Sequence, residues 1–115
     1  MTAAKTVVLG VTGSIAAYKA GDIISGLIKS GRDVHVIMTN AATKFITPLT
    51  FQTLTKNKVY VDMFEEIVYR DVRHISLAQR ADCFVIAPAT ANIIGKIAAG
   101  IADDMLSTVV MAVDI

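Results

Sequence analysis

Residues 7–14 read VVLGVTGS, an apolar run that ends in a turn of small and hydroxylic residues. A short, nearly continuous apolar run is typical of a strand that is buried on both faces, as in a parallel sheet. From residue 15 to residue 29 the apolar spacing becomes helical. The residues able to form one apolar stripe on this helix are Ile15, Ile23, Ile24, Leu27 and Ile28. Gly31 ends the helix and a second strand is predicted at 34–38, so the segment has the order of a βαβ unit.

The remaining sequence continues to alternate between helices and strands. Helices are predicted at 40–54 with a break at Pro48, at 74–80, at 91–99 and at 103–113, and strands at 59–64 and 82–87, with a polar loop at 65–73. This alternation predicts a three-layer α/β/α, Rossmann-like parallel sheet, forming one domain over residues 1–115. The strand at 82–87 is apolar enough to need a neighbour on each side, so we expect the domain to be truncated on its C-terminal side.

Composition excludes several classes of function. The chain has 115 residues, is 54% hydrophobic and carries a formal net charge of +1, without a basic run that would favour nucleic acid. No apolar stretch is long enough to span a bilayer, and the N-terminus lacks the pattern of a signal peptide. Cys83 is the only cysteine, which excludes an internal disulfide and a cysteine-rich metal site; no metal is expected. These features favour a cytoplasmic protein.

Three loops of small and hydroxylic residues follow the predicted strands, at 12–16, 39–41 and 88–92. Ligands of open parallel sheets bind beyond the carboxyl ends of the strands, and backbone N–H groups at helix starts suit a phosphate. The first loop is neither a Walker A sequence nor a G-x-G-x-x-G fingerprint, which disfavours a triphosphate or an ordinary dinucleotide. The first two loops have a second interpretation, because Ser14 and the Thr39-Asn40 pair are also ordinary helix caps.

Five motifs occur in an order that resembles a known family. They are VTGSIAAYK at 11–19, TPLTFQ at 47–52, HISLA at 74–78, APATAN at 87–92 and GIADD at 100–104. In this order they are similar to the homo-oligomeric flavin-containing cysteine decarboxylases, above all to the N-terminal portion of the flavin domain of bacterial phosphopantothenoylcysteine decarboxylases. In bacteria that domain is often fused to the synthetase that makes its substrate.

The resemblance implies an FMN cofactor and a set of residues that hold it. Gly13, Ser14 and Ile15 match the phosphate-binding turn, and Thr39 matches a second polar contact. The loop against the flavin ring is matched by Thr90, Ala91 and Asn92, and a hydroxyl position near the cofactor by Ser107. One departure is visible, because Ile93 stands where the family often has threonine.

The resemblance also implies a lyase that removes carbon dioxide from 4'-phosphopantothenoylcysteine to give 4'-phosphopantetheine in coenzyme A biosynthesis. His74 matches the family's active-site histidine and would act as base or proton donor. The alternative is a loop histidine with a capping or packing role. His35, inside an apolar strand, is expected to be structural, and Cys83 is expected to be a small buried residue of its strand.

Part of the family's substrate site has no counterpart in this sequence. The Pro-x-Met-Asn-x-x-Met-Trp motif and the redox cysteine of the substrate clamp are absent, and the chain contains no tryptophan. Family members form trimers, sometimes assembled into dodecamers with FMN at a subunit boundary, and a similar homo-oligomer is expected. Alternatives are a peptidyl-cysteine decarboxylase, a flavin prenyltransferase and a non-catalytic FMN-binding subunit. The HISLA segment argues against the prenyltransferase.

Overall fold

In the part of the chain that the structure describes, three parallel strands form the sheet, with the first strand in its centre. They are β1 (Thr6–Val11), β2 (Asp33–Met38) and β3 (Cys83–Ile86), in the order β2-β1-β3. Val11 of β1 lies opposite Met38 of β2, and Gly10 lies opposite Ile86 of β3. The computed structural model describes residues 5–61 and 77–113. Within them the predicted parallel sheet is confirmed.

The helices follow the strands as a doubly wound fold requires. A 3₁₀ segment at Ile15–Lys19 leads into α1 (Ala20–Lys29), and a second one at Ala42–Lys44 precedes α2 (Pro48–Thr55). Residues 77–80 are helical, and α3 (Ala91–Ala99) and α4 (Met105–Ala112) follow β3. Pro48 occupies the start of α2, where a missing N–H costs nothing, and Gly100 ends α3 at a φ of 73°. None of the helices described has the length and apolar character needed to cross a bilayer.

Apolar side chains are buried on both faces of the sheet. Successive strand residues point to opposite faces, so Leu9 and Val36 join one core cluster while Val8 and Ile37 join the other. The first cluster is completed by residues of α1 and α2 such as Ile24 and Phe51. The second is completed by Leu77, Ala78, Ala81, Ile93, Met105, Leu106 and Val109. This confirms the predicted three-layer arrangement.

The apolar stripe predicted for the first helix is partly wrong. Ala20 and Ile24 are buried and Leu27 packs against the core, whereas Ile23 and Ile28 are exposed and Ile15 is 76% exposed. Ile15 belongs to the 3₁₀ segment, whose tighter turn does not continue the phase of α1. Ile23 lies about 100° around the helix axis from Ile24, because an α-helix has ~3.6 residues per turn. The buried residues of this segment are therefore alanines and one isoleucine, not all five residues of the predicted stripe.

Another expectation is corrected. Cys83 is exposed, not buried, because it begins β3, and within the residues described β3 has a strand neighbour on one side only. Of the strand expected at 59–64, the structure describes residues 59–61, in which Tyr60 forms a parallel bridge with Ile37. Its residues beyond 61, the loop predicted at 65–73 and the first part of the helix predicted at 74–80 lie outside the described residues.

A polar cluster lies at the amino end of β2. His35 is buried, and its Nε2 lies 3.0 Å from Asp33 Oδ2 and 3.1 Å from Arg80 Nη2. Asn57 donates to Asp33 Oδ1 at 2.9 Å and to the carbonyl of Val34 at 2.7 Å. Burial raises the pKa of Asp33, but the hydrogen bonds of Asn57 and His35 and the charges of His35 and Arg80 lower it below its ordinary value of 3.8. His35 thus has the structural surroundings expected from the sequence.

Candidate functional site

The loops after β1, β2 and β3 meet at the carboxyl edge of the sheet. The Thr39 N–H donates to the carbonyl of Val11 at 3.0 Å, and the Thr12 N–H donates to the carbonyl of Pro88 at 3.3 Å. Both bonds extend the pairing of the central strand beyond its end. The loop after β1 is therefore fixed to both of its neighbours.

Gly13 and Ala41 make the closest approach between the first two loops. A Cβ placed on Gly13 would lie 2.5 Å from the Ala41 Cβ and 2.9 Å from its carbonyl carbon. Contacts this short do not occur between real side chains, so only glycine fits here unless the backbone of Ala41 moves. The small residues in both loops are thus a geometric requirement of their packing.

A cavity opens where the three loops meet. Its volume is about 480 Å³, inside the range of roughly 300–1,000 Å³ that small-molecule sites occupy. It is lined by Gly13, Thr39, Asn40, Ala41, Thr90, Asn92, Ile93, Lys96, Asp103 and Asp104. The space between the loops is therefore open and not filled by side chains.

The predicted cofactor residues divide into two groups. Gly13, Thr39, Thr90 and Asn92 line the cavity. Ser14, Ile15, Ala91 and Ser107 are not among the lining residues. Ser14 caps the 3₁₀ segment by accepting from the Ala16 N–H at 3.2 Å, and the Ile15 side chain is turned to the exterior. His74 lies outside the described residues.

Both lining threonines also accept a backbone N–H at the start of a helical segment, and Thr90 is the N-cap of α3. Thr39 Oγ1 accepts from the Ala42 N–H at 3.2 Å, and Thr90 Oγ1 accepts from the Ile93 N–H at 3.4 Å. A hydroxyl that accepts a capping bond still has its own proton to donate. The capping and ligand-binding interpretations are therefore compatible, and the caps hold the two hydroxyls at the cavity wall.

Three charged residues of the cavity were not singled out from the sequence. Lys96 Nζ lies 2.9 Å from Asp103 Oδ1, and Asp104 is the next residue along the wall. The hydrogen bond to Asp103 raises the pKa of Lys96, burial acts in the opposite direction, and the charges of Asp104 and Asp103 add to the increase. A sequence signal existed, because Lys96 is four residues after Asn92 and so lies on the same helix face. Both aspartates are part of the GIADD motif.

Ser107 supports this wall from beneath. Its hydroxyl is fully buried, accepts from the N–H groups of Asp103 and Asp104 at 3.1 Å each, and donates to Asp104 Oδ1. The Ser107 N–H also donates to Asp104 Oδ1, at 2.8 Å, which completes a capping box at the start of α4. The hydroxyl predicted near a cofactor thus orders two residues that line the cavity.

The donor set suits the phosphate of a flavin mononucleotide better than a metal ion. The part of the cavity formed by Gly13, Thr39, Asn40 and Ala41 carries no charged side chain, and the start of α3 also faces it through Thr90 and Asn92. Backbone N–H groups, hydroxyls and a helix start are what an anion needs. Within residues 5–61 and 77–113, no three His, Cys, Asp or Glu side chains are grouped to hold a metal ion.

The chain is similar in sequence to several known proteins. The chain is 50% identical over 108 residues to the coenzyme A biosynthesis bifunctional protein CoaBC of Bacillus subtilis, covering 94% of this chain and 27% of that protein. It is 48% identical to a probable phosphopantothenoylcysteine decarboxylase of Streptococcus mutans, covering 94% of this chain and 60% of that protein. The chain thus spans less than two thirds of either relative.

The fold also matches solved structures. TvaF, an FMN-dependent cysteine decarboxylase from thioviridamide biosynthesis, superposes with a TM-score of 0.85 at 29% identity, covering 96% of this chain and 68% of TvaF. The Flavoprotein family model matches residues 1–115. Since this match extends over the whole sequence, the chain belongs to the Flavoprotein family.

Proposed function

We propose that the cavity binds FMN and that the chain is the flavin part of a phosphopantothenoylcysteine decarboxylase of coenzyme A biosynthesis. The observation that carries the proposal is the convergence of three strand-end loops around one open cavity, with Gly13 in contact with Ala41. The choice of substrate is supported by sequence identity, which is 50% to CoaBC and 48% to the probable phosphopantothenoylcysteine decarboxylase, but 29% to the cysteine decarboxylase TvaF.

In the proposed complex the phosphate lies among Gly13, Thr39 and Ala41. A phosphate carries negative charge, so it is repelled by the carboxylates of Asp103 and Asp104 on the other part of the cavity wall. A flavin held there would supply a reversible two-electron oxidation of the substrate cysteine, which would let the carboxylate leave as carbon dioxide, and the reduced flavin would then return the electrons to the product. His74 is proposed to hold or move the proton in this reaction.

The proposal extends to assembly and location. Large apolar side chains are exposed on the residues described, among them Ile15, Leu49 at 67% and Tyr18 at 59%. A partner subunit would cover these side chains, and the family resemblance suggests a homo-oligomer, either a trimer or a dodecamer. The single cysteine supports a cytoplasmic location.

The test has two stages. The purified protein is first titrated with FMN, and bound flavin is read from its visible absorption. It is then incubated with 4'-phosphopantothenoylcysteine or with a peptide that ends in cysteine, and carbon dioxide release is measured. Release from the first substrate alone supports the proposal, and release from the peptide alone supports a peptidyl-cysteine decarboxylase. Flavin binding without release from either substrate would contradict decarboxylation by this chain alone.

His74 is tested by the His74→Asn variant in the same assay. We expect it to retain bound FMN and to lose carbon dioxide release by at least about a hundredfold, the lower end of what general acid–base groups contribute. Full activity of this variant would show that the role given to His74 is wrong.

A further inference from the structure

The side chain of Thr12 connects the loop after β1 to the loop after β3. Thr12 is 1% exposed and is not among the residues that line the cavity. Its Oγ1 donates to the carbonyl of Pro88 and accepts from the N–H of Thr90 at 3.1 Å. The buried Thr12 hydroxyl thus donates one hydrogen bond to the loop after β3 and accepts another from the same loop.

Thr90, which Thr12 holds in this way, is part of the candidate site. Thr90 lines the cavity and caps α3, and Asn92 in the first turn of the same helix also lines it. The ladder between β1 and β3 ends at the bond from the Ala87 N–H to the carbonyl of Gly10, 2.9 Å long. Beyond that point, the bonds to Pro88 and Thr90 that join the two loops all come from Thr12.

We propose that Thr12 is a positioning residue for the cofactor, which sets the distance between the turn at Gly13 and the loop at Thr90. This inference rests on the proposed binding of FMN and adds to it a residue that does not touch the ligand. In the proposed complex FMN contacts both loops at once. If the distance between the loops varies, FMN binds only to the fraction of molecules in which the loops have the correct spacing. The apparent Kd rises in inverse proportion to that fraction.

Thr12→Val is the most direct variant, because valine keeps the shape and removes the hydroxyl. It leaves the part-buried Thr90 N–H without its acceptor, so a hydrogen bond that joins the two loops is lost. We expect the Kd for FMN to rise roughly tenfold, equivalent to ~1.4 kcal/mol. Thr12→Ser keeps the hydroxyl and should restore the Kd to within about twofold of the unchanged chain.

Thr55 offers a matched control at the opposite end of the sheet. It is also a buried threonine, whose Oγ1 donates to the carbonyl of Phe51 at 2.8 Å and accepts from the Asn57 N–H at 3.1 Å. Thr55→Val removes a hydroxyl of the same kind without touching the cavity. It should lower the melting temperature as Thr12→Val does and leave the Kd for FMN within about twofold.

The experiment measures the Kd by quenching of FMN fluorescence, together with the melting temperature of each protein without FMN. A tenfold weaker Kd for Thr12→Val, with rescue by serine and none for Thr55→Val, supports the proposal. An unchanged Kd for Thr12→Val, or an equal loss for Thr55→Val, would overturn it while leaving the proposed function intact. If the valine variant does not fold, the Kd for FMN is measured on Thr12→Ala instead. Failure of the unchanged chain to bind FMN would overturn both proposals.

Discussion

Gly13 has no room for a side chain, so the candidate site should be sensitive to substitution at this position. The Cβ of an alanine would come within 2.9 Å of the carbonyl carbon of Ala41, so backbone and not only a flexible side-chain end must move. Overpacking of this kind costs roughly 1–3 kcal/mol. The same movement would separate the two loops that form one part of the cavity wall.

We therefore expect Gly13→Ala to weaken FMN binding by at least about tenfold and to lower stability by roughly 1–3 kcal/mol. Gly26→Ala is the matched control, because nothing lies within 4 Å of a Cβ at that position of α1. It should raise stability by up to about 1 kcal/mol, as alanine favours a helix over glycine. Fluorescence titration and thermal unfolding measure both effects. Equal FMN affinity of the two variants would contradict the assigned role of Gly13.

Among the secondary-structure elements, β2 carries at its amino end the Asp33 carboxylate, which contacts Asn57 and Arg80. The lowered pKa of Asp33 means that its charged form is favoured in the folded state. Its stabilising contribution is complete above the unfolded pKa of about 3.8 and is lost as the pH falls through the lower folded pKa. The side chain is 40% exposed, so the contribution is small.

We expect Asp33→Asn to unfold with up to about 1 kcal/mol less free energy than the unchanged chain near neutral pH. The difference should shrink at pH values well below 3.8, where both chains carry an uncharged group at this position. Urea unfolding at several pH values measures it. A difference that stays constant down to strongly acidic pH would show that the charge of Asp33 does not stabilise β2.

Sequence patterns predicted most elements because their signals are local. The apolar runs of β1 and β2, the Pro48 start of α2 and the Gly100 end of α3 all act within a few residues. The exposure of Ile15 and Cys83 was not predictable in the same way. For Ile15 it depends on the tighter turn of the 3₁₀ segment, and for Cys83 it depends on which strands have a neighbour on each side. The cavity role of Lys96 depends likewise on how α3 packs beside the loop at 100–104.

At the scale of the whole molecule, the sheet places its three loops at one edge and leaves apolar side chains on the outside. If Leu49 is part of a subunit interface, a charge at this position must be buried or the interface must open. We expect Leu49→Lys to reduce the molar mass of the assembly measured by light scattering. Lys29→Glu changes an exposed charge at the end of α1 and should leave the mass unchanged. A monomeric mass for the unchanged chain would contradict the proposed homo-oligomer.

The central claim is that three strand-end loops together form a flavin mononucleotide site. Titration of the purified chain with FMN, followed by its fluorescence and visible absorption, tests this most directly. We predict a saturable loss of FMN fluorescence and a yellow protein that releases FMN on denaturation. A folded chain that stays colourless and leaves the fluorescence of added FMN unchanged would contradict the claim.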